Sequence, residues 1–193
     1  MDSGNRFFAR ATSPGAGEVI SLGAAAALYL AQEVGISHLG REGVAGDFRR
    51  AVFFTTTLLL IGLALCLRRY FGAWAIAAGI TLNFIPMAMH GGLMPVAYET
   101  VAESGAFPRV SEETIGHQVG NSKDIVLRRA DIELEALTDR YVITVPLYGT
   151  NIYSPGDFVV FGGVALAVVQ VVAALAWPHH QRARSVAGGH ETI

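Results

Sequence analysis

Charged residues are what this sequence lacks most. Lys, Arg, Asp and Glu make up 16% of its 193 residues, and hydrophobic residues make up 52%, whereas an ordinary soluble domain is about 25% charged. The charges are also clustered, so that several long stretches carry almost none. The formal net charge of -2 provides no basic field that would attract nucleic acid, and we expect no nucleic-acid partner. This composition is typical of a membrane protein.

Cysteine and catalytic motifs are scarce too. The single cysteine, Cys66, lies inside an apolar run and cannot form an intramolecular disulfide. There is no Walker loop, no G-x-S-x-G, no C-x-x-C, no dinucleotide fingerprint and no ligand spacing such as H-E-x-x-H. We therefore expect no cofactor, no metal and no catalytic residue, and a non-enzymatic protein is favoured.

Long apolar runs are what the sequence has instead. A spanning helix needs about 20 mostly apolar residues, and three runs meet this requirement well. They are Ala51–Leu67, Gly72–His90 and Phe158–Trp177. A fourth run, Val19–Ile36, is weaker because Gln32 and Glu33 interrupt it. The prediction is an all-α membrane protein with about four transmembrane helices and a small mixed α/β extracytoplasmic loop between the third and fourth.

The basic residues near the ends of the runs predict an orientation. With four spans, one side of the membrane holds Arg6, Arg10, Arg68, Arg69, Arg182 and Arg184. Arg49 and Arg50, on the other side, argue against this orientation, but the long loop there is rich in Asp and Glu. The resulting segments are a cytoplasmic tail (1–17), three spans (18–92), an outer loop (93–153), a fourth span (154–178) and a second cytoplasmic tail (179–193). The predicted location is the cell inner (plasma) membrane.

The loop carries patterns of local structure. Pro95–Ser104 is typical of a short amphipathic helix with Gly105 as its stop. Apolar and acidic residues alternate over 132–135, and apolar residues recur at every second position over 141–145 before Pro146, as in β-strands. We expect a small β element that lies against the membrane face.

Three polar positions at or inside the spans are candidate binding residues. Asn83, near the middle of the third span, either contacts a ligand at the Pro86 kink or hydrogen-bonds a neighbouring helix, which contributes about 0.6–2 kcal/mol. Glu33 is either a functional carboxylate within the membrane or one that reaches the nearby interface. His90 could change charge near neutral pH. A metal site there would need ligands from the loop, such as His117, Glu112, Glu113 or Asp131.

Two further groups are typical of helix ends. Gly91 and Gly92 suit a sharp turn through positive φ after the third span. Ser154 fits an N-cap, Pro155 the first helical position, and Asp157 the third, where its carboxylate can reach back to the cap. This pattern indicates a structural role for the group.

The order of these features resembles a family of small bacterial multi-pass membrane proteins of unknown function. In that family a span with a central Asn precedes Asn-Gly-Gly-x-Met-Pro-Val, and a polar loop with a Leu-x-Asp step and an apolar strand ending in Pro leads to Asn-x-x-Ser-x-Gly-Asp at the last span. The matching residues here are Asn83, Gly91, Gly92, Met94, Pro95, Val96, Leu137, Asp139, Ile143, Pro146, Asn151, Ser154, Gly156 and Asp157. The resemblance covers about Ala51–Trp177, and His90 stands where the family usually has Asn. It implies architecture and no activity.

Three functions stay open from the sequence. The first is a membrane accessory protein or complex subunit whose outer loop associates with another membrane protein or with a second copy, membrane lipid being the other expected partner. The second is a small-molecule or ion carrier that uses Glu33, Asn83 and the Pro86 kink. The third is a membrane enzyme that uses His90 with loop carboxylates.

Overall fold

The computed structural model describes residues 16–38, 43–107, 110–119, 122–147 and 149–188. The helices are α1 (Ala16–His38), α2 (Gly43–Cys66), α3 (Phe71–Met89), α4 (Tyr98–Ser104) and α5 (Pro155–Gly188), and the strands are β1 (Met94–Ala97), β2 (Asp124–Leu127), β3 (Tyr141–Val145) and β4 (Gly149–Tyr153). The chain is mostly helical, with small sheets between α3 and α5. The expected tail at 1–17 falls almost wholly outside the described residues, whereas 179–188 continue α5.

Three helical stretches of the described chain are long and apolar enough to cross a membrane: Gly46–Cys66, Phe71–Met89 and Pro155–Ala173. The 19 residues of α3 extend about 28 Å at 1.5 Å per residue, close to the hydrocarbon thickness of about 30 Å. Three of the four predicted spans are therefore supported. Helix α1 forms but is not among these stretches, so the prediction of four spans is not confirmed.

Helix α1 packs beside α2 through polar contacts. Gln32, which weakens the apolar run, is buried, and its Nε2 donates to Thr57 Oγ1 at 2.9 Å. Glu18, near the start of α1, forms an ion pair with Arg69 in the turn between α2 and α3. The start of α1 therefore lies at the same end of the bundle as that turn.

Helices α3 and α5 pack so closely that only glycine fits at their crossing points. A Cβ at Gly72 would lie 2.1 Å from the Gly163 carbonyl oxygen, and a Cβ at Gly79 would lie 2.7 Å from that of Gly156. The order is reversed between the helices, so the pair is antiparallel. Small residues that let backbones approach are the usual basis of helix association in lipid, where burial of apolar surface provides no driving force.

Each helix of this pair also supplies a side chain to the first turn of the other. Gln170 of α5 is fully buried, and its Oε1 accepts from the backbone N–H of Phe71, the first residue of α3, at 3.0 Å. At the opposite end, Asn83 of α3 binds Asp157 in the first turn of α5. The N–H of Phe71, which has no intrahelical partner, is thus bound by the neighbouring helix.

The loop between α3 and α5 folds into two separate two-stranded sheets. Strands β1 and β2 pair in parallel, from Met94 opposite Asp124 to Ala97 opposite Leu127. Strands β3 and β4 form an antiparallel hairpin, from Tyr141 opposite Tyr153 to Val145 opposite Gly149. The predicted strand at 141–145 is therefore confirmed.

Two local predictions for the loop need correction. The helix expected over Pro95–Ser104 begins at Tyr98, because the preceding four residues pair as β1; it ends at Gly105, which has φ 64°. The extended segment expected at 132–135 is wrong. Short 3-10 turns flank that segment, and Leu134 has φ 56°, which breaks an extended strand.

The segment after α3 forms the core between helices and loop. Gly91 and Gly92 have φ of 68° and 86°, and the N–H of Gly92 donates to the Met87 carbonyl at 2.7 Å, which confirms the predicted glycine turn. Met94 packs against Phe53 and Met87. All four residues of β1 are buried, Pro95 among them.

We predict that Gly163→Ala destabilises the bundle and that Gly162→Ala does not. A Cβ at Gly163 would lie 2.8 Å from the Gly72 carbonyl oxygen, whereas a Cβ at Gly162 meets nothing within 4 Å. Overpacking of this kind costs about 1–3 kcal/mol. Thermal unfolding in detergent measures the difference, and equal melting temperatures for the two variants would refute this account of the crossing.

Candidate functional site

Polar side chains from two helices meet at the loop-side end of the α3–α5 pair. Asn83 Nδ2 donates to Asp157 Oδ1 at 2.7 Å, and Ser154 Oγ donates to Asn83 Oδ1 at 2.7 Å. Ser154 is fully buried. The Asn83 amide thus bonds through both its donor and its acceptor side. This is the interhelical bond expected as the structural alternative for Asn83, and ligand binding by Asn83 stays a prediction.

Ser154 and Asp157 form the predicted cap of α5. The N–H of Ser154 donates to Asp157 Oδ2 at 2.9 Å, and the N–H of Asp157 donates to Ser154 Oγ at 3.1 Å, a reciprocal capping arrangement. Gly156 is part of it, because a Cβ there would lie 2.0 Å from Asn83 Oδ1. The glycine lets the amide reach the cap.

Asn83 lies nearer to the loop-side end of α3 than to its start. Asn83 lies level with the first turn of α5, which begins at Pro155. It also precedes the end of α3 at Met89 by only six residues, or about 9 Å. The site therefore lies at the loop-side end of the bundle.

Three ionisable residues of the loop join this end. Asp124 begins β2 and Lys123 directly precedes it, and the Asp124 N–H donates to Ser122 Oγ at 3.1 Å. Asp139 is only 7% exposed and is bridged to Val96 of β1. We call the six residues Asn83, Lys123, Asp124, Asp139, Ser154 and Asp157 the junction cluster.

The charges of the cluster shift one another's ionisation. Burial lowers the pKa of Lys123, but Asp157, followed by Tyr29, Asp124 and Asp139, more than offsets this, so the pKa lies above its usual value. Burial raises the pKa of Asp124 above its usual value, although Lys123 opposes the shift.

Asp139 is the most perturbed member. Burial, followed by the neighbouring charges of Asp124 and Asp157, raises its pKa well above the usual range. A hydrogen bond from the Asp139 carboxyl to the Asp124 carboxylate favours the protonated form further. Because the Lys123 ammonium already stands among these carboxylates, the cluster contains its own cation. Within the described residues no group of three or more His, Cys, Asp or Glu is arranged to hold a metal ion.

His90 joins α3 to the loop outside the cluster. Its Nδ1 lies 2.7 Å from the Pro86 carbonyl oxygen, and the N–H of Glu133 donates to its Nε2 at 3.4 Å. A carbonyl only accepts, so Nδ1 carries the proton and Nε2 is the acceptor. Both ring nitrogens are bonded within the chain. The side chain of Glu33, the third candidate, lies outside the described residues.

Arg49 connects α2 to the same loop. It is buried, and its Nη1 donates to Gln118 Oε1 at 2.8 Å, while Gln118 Nε2 donates to the Ser122 carbonyl at 2.7 Å. Sequence reasoning did not find Arg49, Lys123 or Asp124 as site residues. No spacing marks them, because their neighbours come from distant parts of the chain. The sequence marked Asp139 only through the Leu-x-Asp motif of the family that the chain resembles.

The comparison with known families gives one match. A profile of DUF5317, described as a family of unknown function, matches residues 19–169. The chain belongs to this family. The match covers every residue of the junction cluster and confirms the resemblance to a family of unknown function, and it assigns no activity. No curated protein and no solved structure matches the chain.

Asn83 and Asp157 should be energetically coupled. Asp157→Ala should lower the free energy of unfolding by about 0.5–2 kcal/mol through loss of the cap. In a double-mutant cycle with Asn83→Leu, the coupling should be about 0.6–2 kcal/mol. Thr81→Val is the control, because Thr81 Oγ1 bonds within α3, to the Ala77 carbonyl, and should show no coupling to Asp157→Ala. Additive effects for the Asn83–Asp157 pair would contradict the assignment.

Asp139 should make stability fall as pH rises. A carboxyl whose folded-state pKa is raised takes up a proton on folding between its unfolded pKa, near 3.8, and its higher folded pKa. Across that window, which Asp124, Asp157 and Lys123 help to set, the free energy of unfolding should fall by up to about 1.4 kcal/mol per pH unit. Asp139→Asn, whose amide can still donate to Asp124, should remove the contribution of Asp139 and leave only the smaller slope due to Asp124.

The measurement is the melting temperature in detergent against pH. Exposed Asp131, changed to Asn, is the matched control and should retain the wild-type slope. Parallel curves for wild type and Asp139→Asn would show that Asp139 is not protonated in the folded protein.

Proposed function

We propose that this DUF5317 member is a non-enzymatic accessory protein of the cell inner (plasma) membrane, whose folded loop associates with another membrane protein. One observation carries the proposal. The side chains best suited to chemistry by sequence that lie within the described residues, namely Asn83, His90, Ser154 and Asp157, all form hydrogen bonds inside the chain. These bonds hold the loop against the helices, and the four side chains do not form an arrangement of catalytic groups.

The hydrogen bonds between the loop and the helices support a role for the loop as a docking surface. Arg49 ties it to α2, His90 ties it to α3, and the cap at Ser154 and Asp157 ties its end to α5. A loop held by polar bonds at three helices loses little conformational entropy when a partner binds, and such preorganisation increases affinity.

The outer surface of the loop is acidic, which supports a partner with a basic surface. The exposed carboxylates are those of Glu99, Glu103, Glu112, Glu113, Asp131 and Glu133, and the exposed basic residues of the described loop are Arg128, Arg129 and Arg140. Opposite charge would steer the encounter and select the partner.

The proposal includes α1 as a fourth span, with both termini in the cytoplasm and the loop outside. The Glu18–Arg69 ion pair supports an α1 that runs the length of the bundle. The Arg49–Gln118 bond weakens the objection from basic residues in the first loop, because the Arg49 guanidinium is bound by the outer loop itself.

A small-molecule or ion carrier is the second candidate. The buried Asp139, whose pKa is raised and which lies near Lys123, favours it, because a buried carboxyl that changes charge is one element of proton-coupled transport. Proton or solute flux in liposomes that is lost in Asp139→Asn would favour this candidate over the accessory protein. Neither ring nitrogen of His90 is free to support the third hypothesis, an enzyme that uses His90 with loop carboxylates.

The test of association is a photoactivatable amino acid at exposed His117 in cells. The loop should form a discrete crosslink to one other membrane protein, and joint reversal of Glu112→Lys and Glu113→Lys should abolish it. The same probe at exposed Leu59 of α2 is the control and should not give this product. Crosslinking that is absent from His117, or unchanged by the charge reversal, would refute a charge-matched partner at this face.

A further inference from the structure

The β3–β4 hairpin differs in chemistry from the rest of the loop. From Tyr141 through Gly156 the sequence contains no Asp, Glu, Lys, Arg or His. Several large apolar side chains of the hairpin are exposed to the surroundings of the chain, including Tyr141, Val142, Val145 and Leu147. An uncharged apolar arm on an acidic loop indicates a surface that is covered by something outside the chain.

The base of the hairpin lies beside the first turns of α5. The ring centroids of Tyr141 and Phe158 are 5.4 Å apart, and those of Tyr153 and Phe161 are 5.8 Å apart. Phe161 is six residues beyond Pro155, about 9 Å along the helix. Since Pro155–Ala173 is one of the three stretches that can cross a membrane, the base lies at the depth where that stretch begins.

The hairpin is continuous with the exposed apolar face of α5. That face consists of Phe158, Phe161, Val164, Val168, Val169 and Val172. In a spanning helix an exposed face of this kind contacts lipid. The two tyrosines at the strand ends therefore extend a lipid-facing surface toward the headgroups, the level at which aromatic rings with a polar tip are enriched.

The tip of the hairpin points to a contact outside the chain. Leu147 is fully exposed and has φ 76°. A residue other than glycine is strained in this left-handed region, and Gly or Asn is the usual choice at such a turn. Nothing within the described chain covers this side chain to offset the cost.

We propose that the β3–β4 hairpin lies in the headgroup layer of the bilayer beside α5, with Leu147 directed into lipid. Arg140, stacked over the Tyr141 ring at 5.8 Å, can reach lipid phosphate at the start of the hairpin, as basic side chains do at an interface. The hairpin has open strand edges, which are not tolerated in hydrocarbon, so it stays at the interface. The inference goes beyond the proposed association and does not depend on it.

The experiment uses the full chain with Cys66→Ala and Leu147→Cys, labelled with an environment-sensitive NBD fluorophore. The protein is reconstituted into phosphatidylcholine vesicles, some of whose lipids carry a nitroxide near the headgroup. We expect blue-shifted emission at this site and loss of fluorescence to the nitroxide lipid. Because the hairpin is uncharged, anionic lipid should not be needed. Ala136→Cys, at another exposed loop position, is the matched control and should show water-like emission with quenching by aqueous iodide.

Two outcomes would overturn the proposal. Iodide quenching at Leu147→Cys without quenching by nitroxide lipid would place the tip in water. Protection from both quenchers that disappears as protein is diluted with lipid would show that a second copy covers the hairpin. The vesicles contain no other protein, so either result leaves the proposed association with a different partner standing.

Discussion

The backbone contact between α3 and α5 is the constraint on which the rest of the structure depends. In lipid, helices gain nothing from hiding apolar surface, so association needs close packing and polar bonds. The glycines at the two crossing points allow both, because they bring Asn83 within 2.7 Å of the α5 cap. The cap in turn fixes the end of β4 and therefore the position of the hairpin.

The charges of the junction cluster are balanced within the cluster itself. Asp124 and Asp157 lie near the Lys123 ammonium, and the raised pKa of Asp139 favours its neutral form beside them. Full ionisation would place three negative charges around one positive charge in a poorly solvated place. A neutral carboxyl at Asp139 also supplies a donor to Asp124 that a carboxylate could not.

Local sequence patterns predicted much of the fold, but they did not predict which distant segments of the chain pair with each other. The apolar runs, the glycine turn at Gly91, the cap at Ser154 and strand β3 each depend on a few neighbouring residues, and all were predictable. The parallel pairing of β1 with β2 depends on Met94 meeting Asp124, which no spacing encodes. Gln170 was visible only as a polar interruption in an apolar run, because its partner is the N–H of Phe71. For the same reason the lysine and two of the carboxylates of the cluster were not assembled from the sequence.

The polar bonds at both ends of the α3–α5 pair have a mechanical consequence. Sliding one helix past the other by a turn, about 5.4 Å, would separate Gln170 from Phe71 and Asn83 from Asp157 at the same moment, and would bring side chains to the positions where only glycine fits. The two helices are therefore locked in axial register. In any functional movement of this protein, α3 and α5 therefore have to move together as one rigid body. Displacement relative to this pair occurs at α1, at α2 or in the loop.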